Sequence, residues 1–410
     1  MDTTAVPNDF LMASYKTFSN QSKSIDSIQA RRSLPCASSN IDAERRNERS
    51  FSMIVPTRLE RSGDACSLQT LATSGYNTSA DSELSSSKSP VSPISPVSLI
   101  STSSFPYHSY EVPDADTQCK QLETVLNKGD LGIEFDAINL RDENKSTTTA
   151  SLSENSSRNR CSDILPYEES RVRLDSSKNS SKNDYVNASF VKVKVSNKPF
   201  FYIATQAPTE ATVSDFVQMI WEQDAKIIVM LYNKKGGQQE CFRYWPKDSY
   251  ESNELTKLQF GEFELMTQFV NKSTFYKSRS LKLHHRKTHQ DKTVILFQFC
   301  HWPQHGVPGD ASIFLDFISQ VDSLRSNYIP DSDKYSPMVV QCRLGDGRTG
   351  VFILANLMIA HLQTSTRQPY NVPRILSKLR SQRMCLVRTV EQYRFVYILL
   401  IQYLKNSRLI

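Results

Sequence analysis

The sequence predicts an α/β domain built on a central sheet, preceded by a long polar segment with no core of its own. Three observations carry this. Short β-type apolar runs recur: YVNASFVKV (185–193), FFYIATQ (200–206), AKIIVMLY (225–232), TVILFQF (293–299) and MVVQC (338–342). Stretches with helical apolar spacing lie between and after them: TVSDFVQMIWEQ (212–223), ASIFLDFISQVDSLRSN (311–327), TGVFILANLMIAHLQ (349–363), VPRILSKLRSQR (372–383) and TVEQYRFVYILLIQYL (389–404). Strands alternating with helices bury their apolar faces by layering helices on a sheet. Residues 1–115, by contrast, are rich in Ser, Thr and Pro, lack Trp, and include the low-complexity run LSSSKSPVSPISPVSLISTSS (84–104). That composition cannot bury enough apolar surface to offset backbone entropy, so a disordered tail is expected over 1–115 and a folded domain over 116–410.

The domain opens with two helical patterns, QCKQLETVLNKG (118–129) and the amphipathic GIEFDAINL (132–140), and a polar gap (141–159) follows. Residues 1–115 carry ten Lys+Arg against twelve Asp+Glu, which leaves 39 against 31 for the remainder. A folded part with net charge +8 suits an anionic ligand, although an ordinary solvated surface has the same balance. Eight cysteines occur without a Cys-x-x-Cys pair, which argues against a disulfide framework and a zinc cluster. His284, His285 and His289 fall in a polar, loop-like stretch without a ligand set, so no metal is expected, and no other cofactor. The basic residues lack interleaved aromatics, which disfavours nucleic acid. The chain shows no apolar signal core, no bilayer-length apolar run, no glycine at position 2 and no C-terminal prenylation box. A cytoplasmic location is therefore expected, with association to membrane or cortex only through partners.

The chemistry concentrates in VVQCRLGDGRTG (339–350). A buried strand ends at Cys342, Gly345 and Gly347 let backbone N–H groups turn inward, and a helix beginning near Thr349 aims its N-terminus at the same point. A nest of N–H groups at a helix N-terminus binds anions and favours a thiolate. Arg348 can clamp two phosphate oxygens, and the Thr349 hydroxyl can reach the sulfur. A buried cysteine beside a glycine turn accounts for the same letters, and the loop alone does not decide between these readings.

Its context does. RNRCSDILPYEESRVRL (158–174), DYVNASFV (184–191), FYIATQAP (201–208), DFVQMIWEQ (215–223), CFRYWP (241–246), HWPQHGVP (301–308), QCRLGDGRTG (341–350) and RTVEQYRF (388–395) follow in order. Together they resemble the classical protein tyrosine phosphatase domain across residues 117–410, with KGDLGIEF (128–135) similar to nematode members. The resemblance implies a central twisted mixed sheet flanked by helices. It also implies a two-step hydrolysis in which Cys342 takes the phosphoryl group and a lid carboxylate serves as acid and then base. Residues that the resemblance ties to the fold persist as Arg171, Asn187, Ala188, Gln206, Pro208, Trp221, Trp245 and Pro246.

Against that pattern the departures fall on catalytic parts. The lid acid after Trp302-Pro303 is Gln304, which cannot protonate a leaving tyrosinate, whose free pKa is about 10. The first glutamine of the water-positioning motif is Arg388, while Gln392 is kept. The histidine that helps keep the thiol ionised is Gln341. Within the loop, Arg343 and Leu344 replace small residues and Asp346 replaces an apolar one. Asp346 either faces the pocket, where it repels a dianion, or faces outward and pairs with Arg343. Cys161 stands where a tyrosine packs on the substrate ring, and Asp163 keeps the acid that holds the peptide backbone. Lys235 and Glu240 replace a Glu and a Lys that brace the arginine and the lid, and Cys385 replaces a glycine beside the pocket. The Met and aromatic runs of 349–404 are core.

Three functions are compatible with these residues: a pseudophosphatase that binds a tyrosine-phosphorylated protein or a kinase in signalling; a slow or atypical phosphatase using a Cys342 thiophosphate; and an interaction module with a vestigial pocket. Ser89, Ser92 and Ser95, each followed by proline, suit a proline-directed kinase.

Overall fold

A computed structural model describes residues 114–179, 181–232, 242–248, 257–329, 335–364 and 371–407. The expected tail with Ser89, Ser92 and Ser95 lies outside the described residues, except its last two positions, and Lys235 and Glu240 lie outside them too.

Two helices come first, α1 (Ala115–Asn127) and α2 (Leu131–Asp136). Asp114 caps α1 by accepting from the Thr117 N–H at 2.6 Å. There follow β1 (Arg171–Arg173), β2 (Tyr185–Val195), β3 (Lys198–Gln206), α3 (Val213–Glu222), β4 (Ile227–Leu231), β5 (Lys257–Phe260), β6 (Phe263–Lys272), β7 (Tyr276–His285), β8 (Gln290–Phe299), α4 (Ala311–Tyr328), β9 (Met338–Cys342), α5 (Gly347–Gln363), α6 (Val372–Arg380) and α7 (Val390–Asn406). Among the described residues the strands form one mixed sheet in the order β1-β2-β3-β9-β4-β8-β7-β6-β5. The central four, β3, β9, β4 and β8, are parallel, and both flanks are antiparallel.

The parallel strands are covered on both faces, which is why they read as unbroken apolar runs. Alternation sorts their side chains into two layers. Met338, Val340 and Cys342 of β9 join Ile227, Val229 and Leu231 of β4 in the core shared with α1, α2 and α4 to α7. Val339, Ile228 and Met230 join the core on the α3 side. Helix α5 is buried continuously from Thr349 to Ile359, as expected for a helix that is apolar all round. Helix α2 docks on α7 through one carboxylate: the hydroxyls of Tyr393 and Tyr397 donate to Glu134 Oε1 at 2.6 and 2.9 Å.

Three expectations need correction. Strands β5, β6 and β7 have no counterpart among the apolar runs; in β7 the buried polar residues Ser278, Arg279 and Ser280 break the alternation. His284 and His285, expected in a loop, end β7, and His289 lies in the turn after it. Helix α2 stops at Asp136, and α5 begins at Gly347, two residues before Thr349.

Candidate functional site

Strand β9 delivers Cys342 to the edge of the core, and the turn into α5 wraps the space beyond it. The register places Cys342 beside Gln206 of β3, and the Ala207 N–H donates to the carbonyls of Cys342 (2.9 Å) and Arg343 (3.2 Å). Gly345 has φ +70°, and a Cβ there would lie 2.3 Å from the Thr205 carbonyl carbon, so the loop passes too close to β3 for any side chain. A Cβ on Gly347 would lie 2.6 Å from Gln392 Oε1.

A residue without any local sequence signal fixes this loop. Arg383 is fully buried; its Nε donates to the Gly345 carbonyl (2.6 Å) and its Nη2 to the Leu344 carbonyl (3.0 Å). The same guanidinium reaches Asn187 Oδ1 (2.9 Å) and Ser189 Oγ (3.1 Å) on β2. In a trans peptide the N–H points opposite to the C=O. Turning those two carbonyls to Arg383 therefore directs the Gly345 and Asp346 N–H groups the other way. Burial pushes the Arg383 guanidinium below its ordinary range, and the Asp346 carboxylate opposes that shift.

Asp346 settles the alternative left open by the sequence. It sits at the N-cap of α5 yet makes no side-chain cap, the usual use of an aspartate there. The side chain is buried and turned toward Cys342, whose thiol donates to Asp346 Oδ1 at 3.8 Å. Its other oxygen, Oδ2, accepts from Arg388 Nη1 at 3.2 Å. The pairing is thus with Arg388 and not with Arg343, which is exposed. Asp346 and Arg388, 42 residues apart, form one ion pair beside the thiol. A thiol can donate to that carboxylate, whereas a thiolate would be repelled by it.

Arg348 reaches toward the segment that follows β8. Its Nη1 donates to the Leu231 carbonyl (3.3 Å) and its Nη2 to the carbonyls of Pro303 (3.1 Å) and Gln304 (3.3 Å), with the guanidinium 6.0 Å from the Trp302 ring centre. That segment is anchored through Trp302, buried among Phe299, Phe314 and Phe395, with its indole N–H donating to the Gly306 carbonyl at 3.1 Å. The Gln304 side chain is exposed.

The remaining expected residues distribute as follows. Gln341 points to the face opposite Cys342 and donates to Tyr244 Oη at 2.9 Å, leaving its Oε1 buried without a partner among the described residues. The expected bond from Thr349 to the sulfur is not formed: Thr349 Oγ1 is buried and likewise has no partner among the described residues. Gln392 Oε1 accepts from the Arg388 N–H at 2.9 Å. Cys161 and Leu344 are half-buried and pack on the small cluster that contains Met384 and Cys385. Arg160 holds the segment before Cys161 by donating to the carbonyls of Ala207 (2.5 Å) and Pro208 (2.8 Å). Asp163 is exposed, and its carbonyl accepts from Arg141 at 2.9 Å. Cys385 has φ +60°, which fits a position where glycine is usual; burial pushes its thiol up, opposed by Arg141. Arg383 and the Tyr244 contact escape sequence reasoning because only tertiary packing creates them.

A thiol at a strand end, a loop whose carbonyls turn to Arg383 and a guanidinium in the first turn of α5 lie together at one end of the parallel strands. The sequence profile described as "Protein-tyrosine phosphatase" matches residues 155–402, and the chain belongs to that family. It is similar to tyrosine-protein phosphatase non-receptor type 21 of Rattus norvegicus, 42% identical over 300 residues that make up 72% of this chain and 25% of that protein. Non-receptor type 14 of Homo sapiens is 39% identical over the same shares, and non-receptor type 20 of Rattus norvegicus is 32% identical over 62% of this chain and 56% of that protein. The aligned part is thus only a quarter of the length of the first two relatives. Among the described residues no helix is long and apolar enough to cross a membrane.

Proposed function

We propose that this chain is a tyrosine-phosphatase-fold protein with strongly impaired or absent turnover, which holds an oxyanion ester, phosphotyrosine in the first instance, on a protein partner in signalling. One observation carries the reading: the Cys342 thiol faces the Asp346 carboxylate at 3.8 Å. The groups that hold an oxyanion, Arg348 and the loop braced by Arg383, are kept. The groups that move a phosphoryl group are altered together: Gln304 at the acid position, Arg388 at the water-positioning one and Gln341 before the cysteine. Losses within such a unit are not additive, so one altered member already removes most of the rate. Asp163 and Cys161 belong to the ligand rim in this account. Residues 1–115 act as a regulatory tail whose Ser89, Ser92 and Ser95 accept phosphate from a proline-directed kinase.

A slow phosphatase is the second reading. It is favoured by the joint retention of Cys342 and Arg348, since phosphoryl transfer relies heavily on positioning and charge, and by the similarity to proteins named as tyrosine-protein phosphatases. Two assays on the purified protein decide. Phosphotyrosine peptide is expected to bind more tightly than its unphosphorylated form and to lose that advantage on Arg348→Met. Equal binding of the two peptides overturns the phosphate-holding reading. Aryl-phosphate turnover abolished by Cys342→Ser establishes the slow enzyme instead.

A further inference from the structure

We infer that Asp346 and Arg388 set the charge selectivity of the site, and that Asp346 removes the preference the site would otherwise have for a dianionic phosphate ester over a singly charged oxyanion ester. The inference rests on the oxyanion-holding reading of the loop and deepens it. Asp346 brings a full negative charge to the wall of an anion pocket. Its Oδ1 is 3.8 Å from Cys342 Sγ, so anything touching the sulfur is a near neighbour of the carboxylate. The side chain is 9% exposed and makes no helix cap, so the charge is neither solvated away nor engaged by the α5 N–H groups. Coulomb energy scales with the product of the charges, so the attraction to Arg348 and the repulsion from Asp346 both double for a dianion, and the carboxylate offsets the gain that the guanidinium gives.

Arg388 makes the arrangement tolerable without a ligand and selective with one. Its Nη1 lies 3.2 Å from Asp346 Oδ2, and its side chain is 51% exposed, which leaves it reachable by an incoming anion. To bind a dianion, Arg388 would have to leave Asp346 and expose the incoming group to an uncompensated carboxylate. A monoanion can be held by Arg348 and the loop N–H groups with the Asp346–Arg388 pair intact.

Two peptides of one sequence test this, one bearing phosphotyrosine and one sulfotyrosine, titrated calorimetrically at pH 8. There the phosphate is a dianion, because its second pKa is about 6, and the sulfate ester is a monoanion. The wild-type protein is expected to bind the two within about threefold of each other. Asp346→Asn should raise phosphotyrosine affinity tenfold or more and leave sulfotyrosine affinity within threefold. Arg388→Gln, which strands the carboxylate, should move the ratio at least threefold the other way; it serves as the second probe if Asp346→Asn folds poorly. A phosphate-to-sulfate ratio that neither substitution moves overturns the inference, as does a wild-type preference for phosphate above tenfold. Absence of binding of both peptides to Asp346→Asn overturns it as well. Loss of phosphopeptide binding on Arg348→Met reports separately on the oxyanion-holding reading and is indifferent to the ratio.

Discussion

Asp346 Oδ2 lies 3.2 Å from Arg388 Nη1, so a loop residue and a residue ahead of the last helix close an ion pair beside Cys342. The partners are unequal: the Asp346 side chain is 9% exposed and that of Arg388 51%. Removing the exposed partner strands a buried charge, whereas neutralising the buried one leaves a guanidinium in water. Arg388→Gln should therefore destabilise the fold by about 1–3 kcal/mol, and Asp346→Asn by less than about 1 kcal/mol. Urea titration of both variants checks the order; Asp346→Asn costing more than Arg388→Gln would contradict it.

On the proposed reading, an acid placed at Gln304 alone should recover little. General acid–base help is worth about 10²–10⁴ in rate where the rest of the machinery is intact. Here Asp346 still faces the thiol, and Arg388 stands where the proposed reading puts the water-positioning residue. Gln304→Asp should gain less than about tenfold in aryl-phosphate turnover, far short of that range. The triple variant Gln304→Asp, Asp346→Ile, Arg388→Gln should exceed the product of the three single effects.

Arg383 makes four hydrogen bonds from a fully buried guanidinium, two of them to loop carbonyls. Arg383→Met should cost about 3–5 kcal/mol by leaving buried polar groups unpaired. Arg383→Lys should not rescue it, because one ammonium cannot reproduce the planar fork. Thermal melts of the two variants provide the check, and a lysine variant as stable as wild type would contradict the bracing role.

How much of this was legible in the sequence differs from residue to residue. Strand β9, the glycine turn and α5 stand out because an apolar run, two glycines and a second apolar run are all local signals. The side of the loop that Asp346 faces is not local: Arg388 decides it from 42 residues away, and an aspartate at an N-cap would ordinarily bond its own helix. Arg383 lies in a polar stretch and becomes structural only through β2 and the loop. Strand β7 is hidden because Ser278, Arg279 and Ser280 are buried polar residues within it, which breaks the apolar alternation.

A buried acid away from the site gives a pH signature. Asp322 accepts from Asn356 Nδ2 at 2.7 Å, and burial pushes its carboxyl up to about 6, with Asn356 and Arg325 opposing. The folded state thus holds a proton that the unfolded state, with an ordinary carboxyl, releases near pH 4. Stability contributed by this group is full below that pH and falls as pH rises toward 6. The loss is on the order of 1–2 kcal/mol once residual solvent access is allowed for. Asp322→Asn should flatten the decline in Tm between pH 4 and 6; an unchanged slope would show that Asp322 does not titrate there.

Phosphorus NMR of a phosphotyrosine peptide mixed with the purified protein tests the central claim most directly, because one spectrum reports both holding and turnover. The account predicts that the peptide resonance shifts or broadens while inorganic phosphate grows no faster than in the Cys342→Ser sample. Inorganic phosphate accumulating at a rate that Cys342→Ser abolishes would contradict it.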